Sequence, residues 1–165
     1  MFPAIDFNFN LIGAEYRTSH FMMTKDKRPQ DCARGLFKAK GTASDLCLIN
    51  QANNKNKSLI IIEGFIDGYT LWQYLWENGQ NNDFEIATPT NGVGIIPNLL
   101  HKIPIENYKD IIFWLDNDEA GHNALAQIKE KAKFNYSINK LSCQCCKDFN
   151  QWYLKHERGK NGLIK

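Results

Sequence analysis

Two stretches carry side chains whose types and spacing could do chemistry: Ser58 to Tyr69, SLIIIEGFIDGY, and Ile111 to Gly121, IIFWLDNDEAG. Each is an apolar run that stops abruptly at carboxylates. Leu59 to Ile62 runs straight into Glu63-Gly64, with Asp67 shortly after, and Ile111 to Leu115 runs into Asp116-Asn117-Asp118. Carboxylates brought close together repel and raise one another's pKa values, unless a hard divalent cation holds them ionised. Oxygen donors without matching His or Cys point to Mg²⁺ or Mn²⁺ rather than zinc. Glu63, Asp116 and Asp118, together with Asp67, are therefore candidates for one metal site. The chemistry that fits is metal-dependent phosphoryl transfer, in which ions neutralise phosphate oxygens and align the attacking and leaving groups.

The surrounding elements must bring these groups together. Leu59 to Ile62 is four consecutive apolar residues, three of them β-branched. That pattern predicts a strand buried on both faces, as in a parallel sheet, and Ile111 to Leu115 repeats it. In open α/β sheets, ligands bind beyond the carboxyl ends of the strands, where both acidic clusters fall. Gly68 to Trp76 predicts a helix whose Tyr69, Leu71, Trp72, Leu75 and Trp76 form a broad apolar face for covering the sheet. Phe84 to Thr88 reads as a strand. The loop after it, Pro89 to Gly94, offers Asn91, Gly92 and Gly94 for close backbone approach to a phosphate or metal. Ile95 to Ile103 reads as a short helix ended by Pro104. Glu119 to Lys133 reads as a helix with Ala120, Ala124, Leu125 and Ile128 inward, and Asp118 stands at its N-cap position, a second use for that carboxylate. A strand around Tyr136 to Leu141 and a helix over Gln151 to His156, with Phe149, Trp152 and Tyr153 inward, complete the pattern.

A strand ending in Glu-Gly with an Asp three residues past the Gly, then a later strand ending in Asp-x-Asp-x-Ala-Gly, resembles the Toprim domain. Here these are Glu63-Gly64-Phe65-Ile66-Asp67 and Leu115-Asp116-Asn117-Asp118-Glu119-Ala120-Gly121. Toprim domains are shared by bacterial-type primases, topoisomerases, OLD-family nucleases and small recombination and RNA-maturation proteins. Phe2-Pro3-Ala4-Ile5-Asp6 with Leu11 to Arg17, and Lys147-Asp148-Phe149-Asn150, are similar to stretches flanking the Toprim portion of bacterial-type primases of phage or mobile elements. The resemblance implies an α/β fold, a Toprim-like Rossmannoid sheet that is mainly parallel, flanked by helices, with a small N-terminal β extension. It divides the chain into residues 1–57 (hairpin and basic segment), 58–154 (Toprim domain) and 155–165 (basic tail).

The resemblance further implies a Mg²⁺- or Mn²⁺-dependent DNA primase module making RNA primers. Glu63 would be general base or metal ligand, Asp116 and Asp118 metal ligands, and Asp67 support. Lys147 or Arg17 would hold triphosphate or template backbone, and the Lys147-Asp148 pair belongs to the nucleotide-binding set. Partners would be a single-stranded DNA template and ribonucleoside triphosphates, with a helicase or a separately encoded template-binding protein. The alternatives are a Toprim-type nuclease, in which the same metal site activates water, and a non-catalytic nucleic-acid-binding accessory module.

The remaining sequence sets bounds. The stretch Met22 to Leu46 is basic, and its Lys25, Arg28 and Arg34 are candidate phosphate contacts, although such a charge run also reads as solvated surface. The period-two alternation of Phe2, Ile5, Phe7, Phe9 and Leu11 predicts a half-buried strand or hairpin, with Ile12 to Arg17 as a second strand. At 165 residues one domain with short extensions is expected, and the tyrosine-bearing domains of a topoisomerase do not fit. With 43% hydrophobic residues the chain can build a core, and its net charge of +2 gives no global footprint for a polyanion. No apolar run reaches the roughly 18 residues of a membrane span and no leader pattern follows Met1, so a cytoplasmic location is expected. Five cysteines in such a chain are expected to be reduced thiols. Cys143 and Cys146 have C-x-x-C spacing without a second pair, which favours small structural residues over a zinc knuckle.

Overall fold

The computed structural model describes residues 2–17, 36–38, 41–141, 143 and 145–157. Its centre is a five-stranded sheet of order β4-β6-β5-β7-β8. The strands are β4 (Leu46–Leu48), β5 (Ser58–Ile62), β6 (Phe84–Pro89), β7 (Ile111–Trp114) and β8 (Ser137–Ile138). β5, β6, β7 and β8 run parallel, and only the edge strand β4 pairs antiparallel, with β6. Every residue of β5 is buried, as its unbroken apolar run requires for a strand covered on both faces.

The two faces of β5 feed two cores. Leu59 and Ile61 pack with residues of α2 (Ile96–Leu99) and α3 (Glu119–Lys131), among them Ile96, Ala124 and Ile128. Ile60 and Ile62 pack with Leu71 and Leu75 of α1 (Phe65–Glu77) and with Phe149 and Tyr153 of α4 (Phe149–His156). The α1–α4 seam is aromatic: Tyr74 meets Phe149, Trp152 and Tyr153 edge-on, and Phe149 also meets Trp114 of β7. Such T-shaped pairs contribute about 0.5–1.5 kcal/mol each beyond their buried area.

A second, three-stranded antiparallel sheet is formed by β1 (Phe2–Ile5), β2 (Leu11–Arg17) and β3 (Leu36–Lys38), in that order. This is the expected β extension, but its alternation ends sooner than the sequence suggests. The strand stops at Ile5 because the Asp6 carboxylate accepts hydrogen bonds from the Asn8 and Asn10 N–H groups and closes a turn. Phe9 sits in that turn at φ 64°, solvent-exposed, rather than on a strand face.

Three further expectations change. Ile95 to Ile103 is not one helix but a single α-helical turn, α2, between two 3₁₀ turns. Pro97 lacks an N–H and is accommodated only in a first turn. Trp72 and Trp76 do not cover the sheet: they are 40% and 66% exposed. The stripe that α1 buries is the narrower Phe65, Gly68, Leu71 and Leu75, where Gly68 lets the helix approach Ile49 and Ile62. Ala120, read as inward, is also exposed, since the buried side of α3 starts at Gly121. Among the described residues, no helix is long and apolar enough to cross a membrane.

Candidate functional site

Parallel pairing of β5 with β7 brings Ile62 opposite Trp114, so the residues just beyond them leave the sheet at the same edge. Glu63 follows β5, Asp116 lies two residues past β7, and Asp67 sits in the first turn of α1. Asp118 is the N-cap of α3, its carboxylate accepting the Gly121 N–H at 3.0 Å. The capping use of Asp118 is thus realised, and its other oxygen still faces the cluster, 3.0 Å from Lys147 Nζ.

Gly121 shows why the second acidic stretch ends in glycine. A β-carbon there would overlap the Asp116 carbonyl oxygen, so α3 can start against the Asp116 backbone only if this residue has no side chain. The constraint at Gly64 is milder, since a β-carbon on it would lie 3.1 Å from a side-chain oxygen of Asp67.

The third contributor is the segment before α4. The Asn117 N–H donates to the Lys147 carbonyl at 3.0 Å, tying this segment to the end of β7. Lys147 thereby reaches both Asp116 (3.7 Å) and Asp118 (3.0 Å). Asp148 caps α4 by accepting the Gln151 N–H, and the Asn150 N–H donates to Asp67 at 2.9 Å. The Asn150 side-chain oxygen accepts from Thr70 of α1. Sequence reasoning named Lys147 and Asp148 but missed the Asn150 backbone as the partner of Asp67. No spacing signal links residues so far apart in the chain.

The electrostatics are those of an underneutralised acidic site. Burial pushes the Asp116 carboxyl up to about 8, reinforced by the charges of Glu63 and Asp67. Burial likewise raises Asp67 to about 6, against the lowering effect of the Asn150 N–H. Glu63 is raised by burial and by the Asp118 charge, although the Asp116 N–H hydrogen-bonds its carboxylate. Asp118 is held below the usual carboxylate range by the Gly121 N–H and then by Lys147. Lys147 in turn is raised, chiefly by its hydrogen bond to Asp118.

One Glu63 oxygen, Oε2, is buried without a hydrogen-bond partner among the described residues. A buried carboxylate oxygen left unpaired is costly, and an ion is one way to satisfy it. The donor set is carboxylate oxygen only, which fits a hard divalent cation such as Mg²⁺ or Mn²⁺. A cleft of ≈ 250 Å³ opens beside Asp116 and Asn117, lined also by His122, Asn139 and Lys140.

The other candidates are placed less closely. Asn91 and Gly92 follow the end of β6, at the same edge of the sheet as Glu63, and Gly92 uses its freedom at φ 76°. The Asn91 amide donates to Ser44 at 2.5 Å. Arg17 is the last residue of β2, in the N-terminal sheet. Lys25, Arg28 and Arg34 lie outside the described residues.

The cysteines depart from expectation. Cys143 and Cys145 form a disulfide, their Cα atoms 5.3 Å apart in the turn before α4, within bridging range. Cys146 is buried, in keeping with a small structural residue, and Cys47 of β4 is buried as well.

A family model described as Toprim-like matches residues 60–153. Among solved structures, the primase fragment of the bacteriophage T7 primase-helicase protein is similar at 21% identity, with a TM-score of 0.63. That match covers 93% of this chain and 56% of the fragment, so the chain spans little more than half of that relative. A structure of the bacteriophage T7 lagging-strand DNA polymerase interacting with primase domains bound to an RNA/DNA hybrid and dTTP is similar at 19% identity, TM-score 0.62. It is covered over 69% of its chain and 93% of this one. No curated protein matches.

Proposed function

Matched over more than half of its length, the chain belongs to the Toprim-like family, and from that premise we propose that it is the Toprim module of a Mg²⁺- or Mn²⁺-dependent DNA primase. The observation that carries the proposal is the buried, unpartnered Glu63 Oε2 beside Asp116, whose carboxyl is pushed up to about 8. Protein groups alone leave these carboxylates short of positive charge. In the proposed site Glu63, Asp116 and Asp118 hold the divalent ion, and Asp67 backs them. A bound ion would neutralise phosphate oxygens and align the attacking and leaving oxygens of the transfer.

The protein's own residues supply the rest. As the alternative to ligating the ion, Glu63, kept partly desolvated and raised by burial, would accept the proton of an attacking ribonucleotide 3′-OH while Asp116 and Asp118 hold the ion. Lys147, more than half exposed between Asp116 and Asp118, can swing from them to a triphosphate or template phosphate. Asp67 positions the site indirectly, by holding the Asn150 N–H and so the start of α4. Asn91 and Gly92 offer a backbone approach to phosphate from the end of β6, and Asp148 fixes the Lys147 turn by capping α4. Arg17, Lys25, Arg28 and Arg34 are assigned to the template or triphosphate backbone. The ligands are single-stranded DNA and ribonucleoside triphosphates, and a helicase or a separate template-binding protein supplies the rest of the machinery.

The test is a Mg²⁺-dependent reaction on single-stranded DNA with labelled ribonucleotides, run beside Glu63→Gln and Asp116→Asn. Short RNA products from the wild type alone are expected. Shortened DNA without RNA, lost in both variants, would replace primase by nuclease. DNA binding that survives both substitutions, with no turnover, would leave an accessory module.

A further inference from the structure

A second cluster of ligating side chains flanks Lys147 in sequence and has the opposite donor chemistry. Cys143, Cys145 and Cys146, from the turn before α4, converge with His156 in the last turn of α4. One ligand atom from each lies within 4.8 Å of all the others. Cys145 Sγ is 3.7 Å from Cys146 Sγ, and Cys146 Sγ is 3.8 Å from His156 Nε2. A tetrahedral zinc ion, with Zn–S near about 2.3 Å and Zn–N near about 2.0–2.1 Å, sets its ligand atoms roughly 3.5–3.8 Å apart. Both distances already match the edges of that tetrahedron.

We propose that Cys143, Cys145, Cys146 and His156 form a Cys₃His zinc site that staples the Lys147 turn to the end of α4. Three soft sulfur donors and an imidazole select zinc over the magnesium or manganese suited to the carboxylates. The Cys143–Cys145 disulfide is the metal-free, oxidised arrangement of the same residues. A thiol or phosphine reductant supplies the two electrons, and two protons complete the dithiol. Zinc then displaces one proton from each of the three thiols and takes the imidazole as its neutral fourth ligand. The resulting centre carries one net negative charge, and Lys155 Nζ lies 3.7 Å from Cys145 Sγ, placed to offset it.

Cys146 is buried while Cys145 and His156 are at the surface, so an ion can enter from solvent and be closed from behind. The site has a structural consequence. Lys147 follows Cys146 directly, and Asp148 and Asn150 begin α4. Tying the turn to His156 fixes the segment that reaches Asp116, Asp118 and Asp67.

The experiment uses the full chain, reduced with a phosphine and kept anaerobic. Zinc is counted by mass spectrometry after dialysis, and Co²⁺ serves as the spectroscopic substitute. One zinc per chain is expected, and a Co²⁺ form with thiolate-to-metal charge transfer and intense tetrahedral bands. Cys146→Ser and His156→Ala are expected to weaken zinc binding at least about 10-fold. His156→Cys, which offers a fourth thiolate, is expected to keep the metal and strengthen the charge-transfer band, which guards against a variant that merely misfolds. Glu63→Gln is expected to leave the zinc content unchanged. Absence of stoichiometric zinc, retention of it by Cys146→Ser, loss of it in Glu63→Gln, or weak octahedral Co²⁺ bands would each overturn the proposal.

Discussion

The two edges of the parallel sheet treat buried carboxylates in opposite ways. At the amino-terminal edge, Glu85 of β6 is buried and fully partnered. It accepts from Lys57 Nζ at 2.6 Å, the Tyr108 hydroxyl at 2.6 Å and the Ala52 N–H at 3.1 Å. At the carboxyl-terminal edge, among the described residues, Glu63 keeps an oxygen with no hydrogen-bond partner, and the cation nearest Asp116 is Lys147, 3.7 Å away. Both edges lie on the same strands, and the less buried carboxylates, the half-buried Glu63 and Asp116, are the ones left short of partners, so desolvation alone does not set the contrast. The difference is completeness. Glu85 is closed by protein groups and ties the segments that enter β5 and β7 to β6, whereas among the described residues the acidic cluster is not closed in this way. An unsatisfied carboxylate is retained only at a stability cost, which makes the acidic edge the candidate for function and the Glu85 edge the candidate for structure.

Substitutions break this contrast in order of size. The largest expected effect is on turnover: Glu63→Gln is expected to lower metal-dependent nucleotide incorporation by about 10²–10⁴-fold with little loss of stability, read by labelled primer synthesis. Next, Glu85→Ala is expected to cost about 2–4 kcal/mol in urea unfolding, since it strands Lys57, Tyr108 and the Ala52 N–H together. Asp116→Asn is its mirror image and is expected to stabilise the metal-free protein by about 1–2 kcal/mol while abolishing activity. A destabilised Asp116→Asn would show that this edge too is structural.

Gly121→Ala tests what holds the cluster together, because its methyl group meets the Asp116 carbonyl. About 1–3 kcal/mol of destabilisation is expected, with weakened Mg²⁺ binding followed by calorimetry.

The pH dependence is smaller and its sign is fixed. Asp116 keeps its proton up to about 8 in the native chain, against the ordinary carboxylate range when unfolded. Between those values the native state binds more protons. Metal-free stability therefore falls as pH rises toward about 8, by at most about 1.4 kcal/mol per unit for this group, and then levels off. Asp67 adds the same trend below about 6. Saturating Mg²⁺ is expected to flatten the slope in thermal melts, since it favours the ionised forms. The smallest effect belongs to Lys147→Met, whose exposed ammonium contributes less than about 1 kcal/mol to stability. Its expected signature is a weakened KM for nucleotide in the incorporation assay.

Much of this was legible in the sequence because it is local. Unbroken apolar runs ending in Glu63 and in Asp116-Asn117-Asp118 specify buried parallel strands and put carboxylates at their ends, and the Gly64 and Gly121 positions belong to the same short stretches. What the sequence left undecided depends on how elements far apart in the chain meet. The 3.6-residue spacing of Trp72 and Trp76 was sound for a helix, but only the docking of α1 decides which stripe of it is buried. The Asn150 backbone reaches Asp67 across more than eighty residues, with no side-chain signature to announce it. The convergence of three cysteines with His156 escaped a spacing rule because α4 and the turn before it, not a fixed interval, bring them together. Chain-local chemistry follows from residue type and period. Partnership between remote groups is decided only by the packing that makes them neighbours.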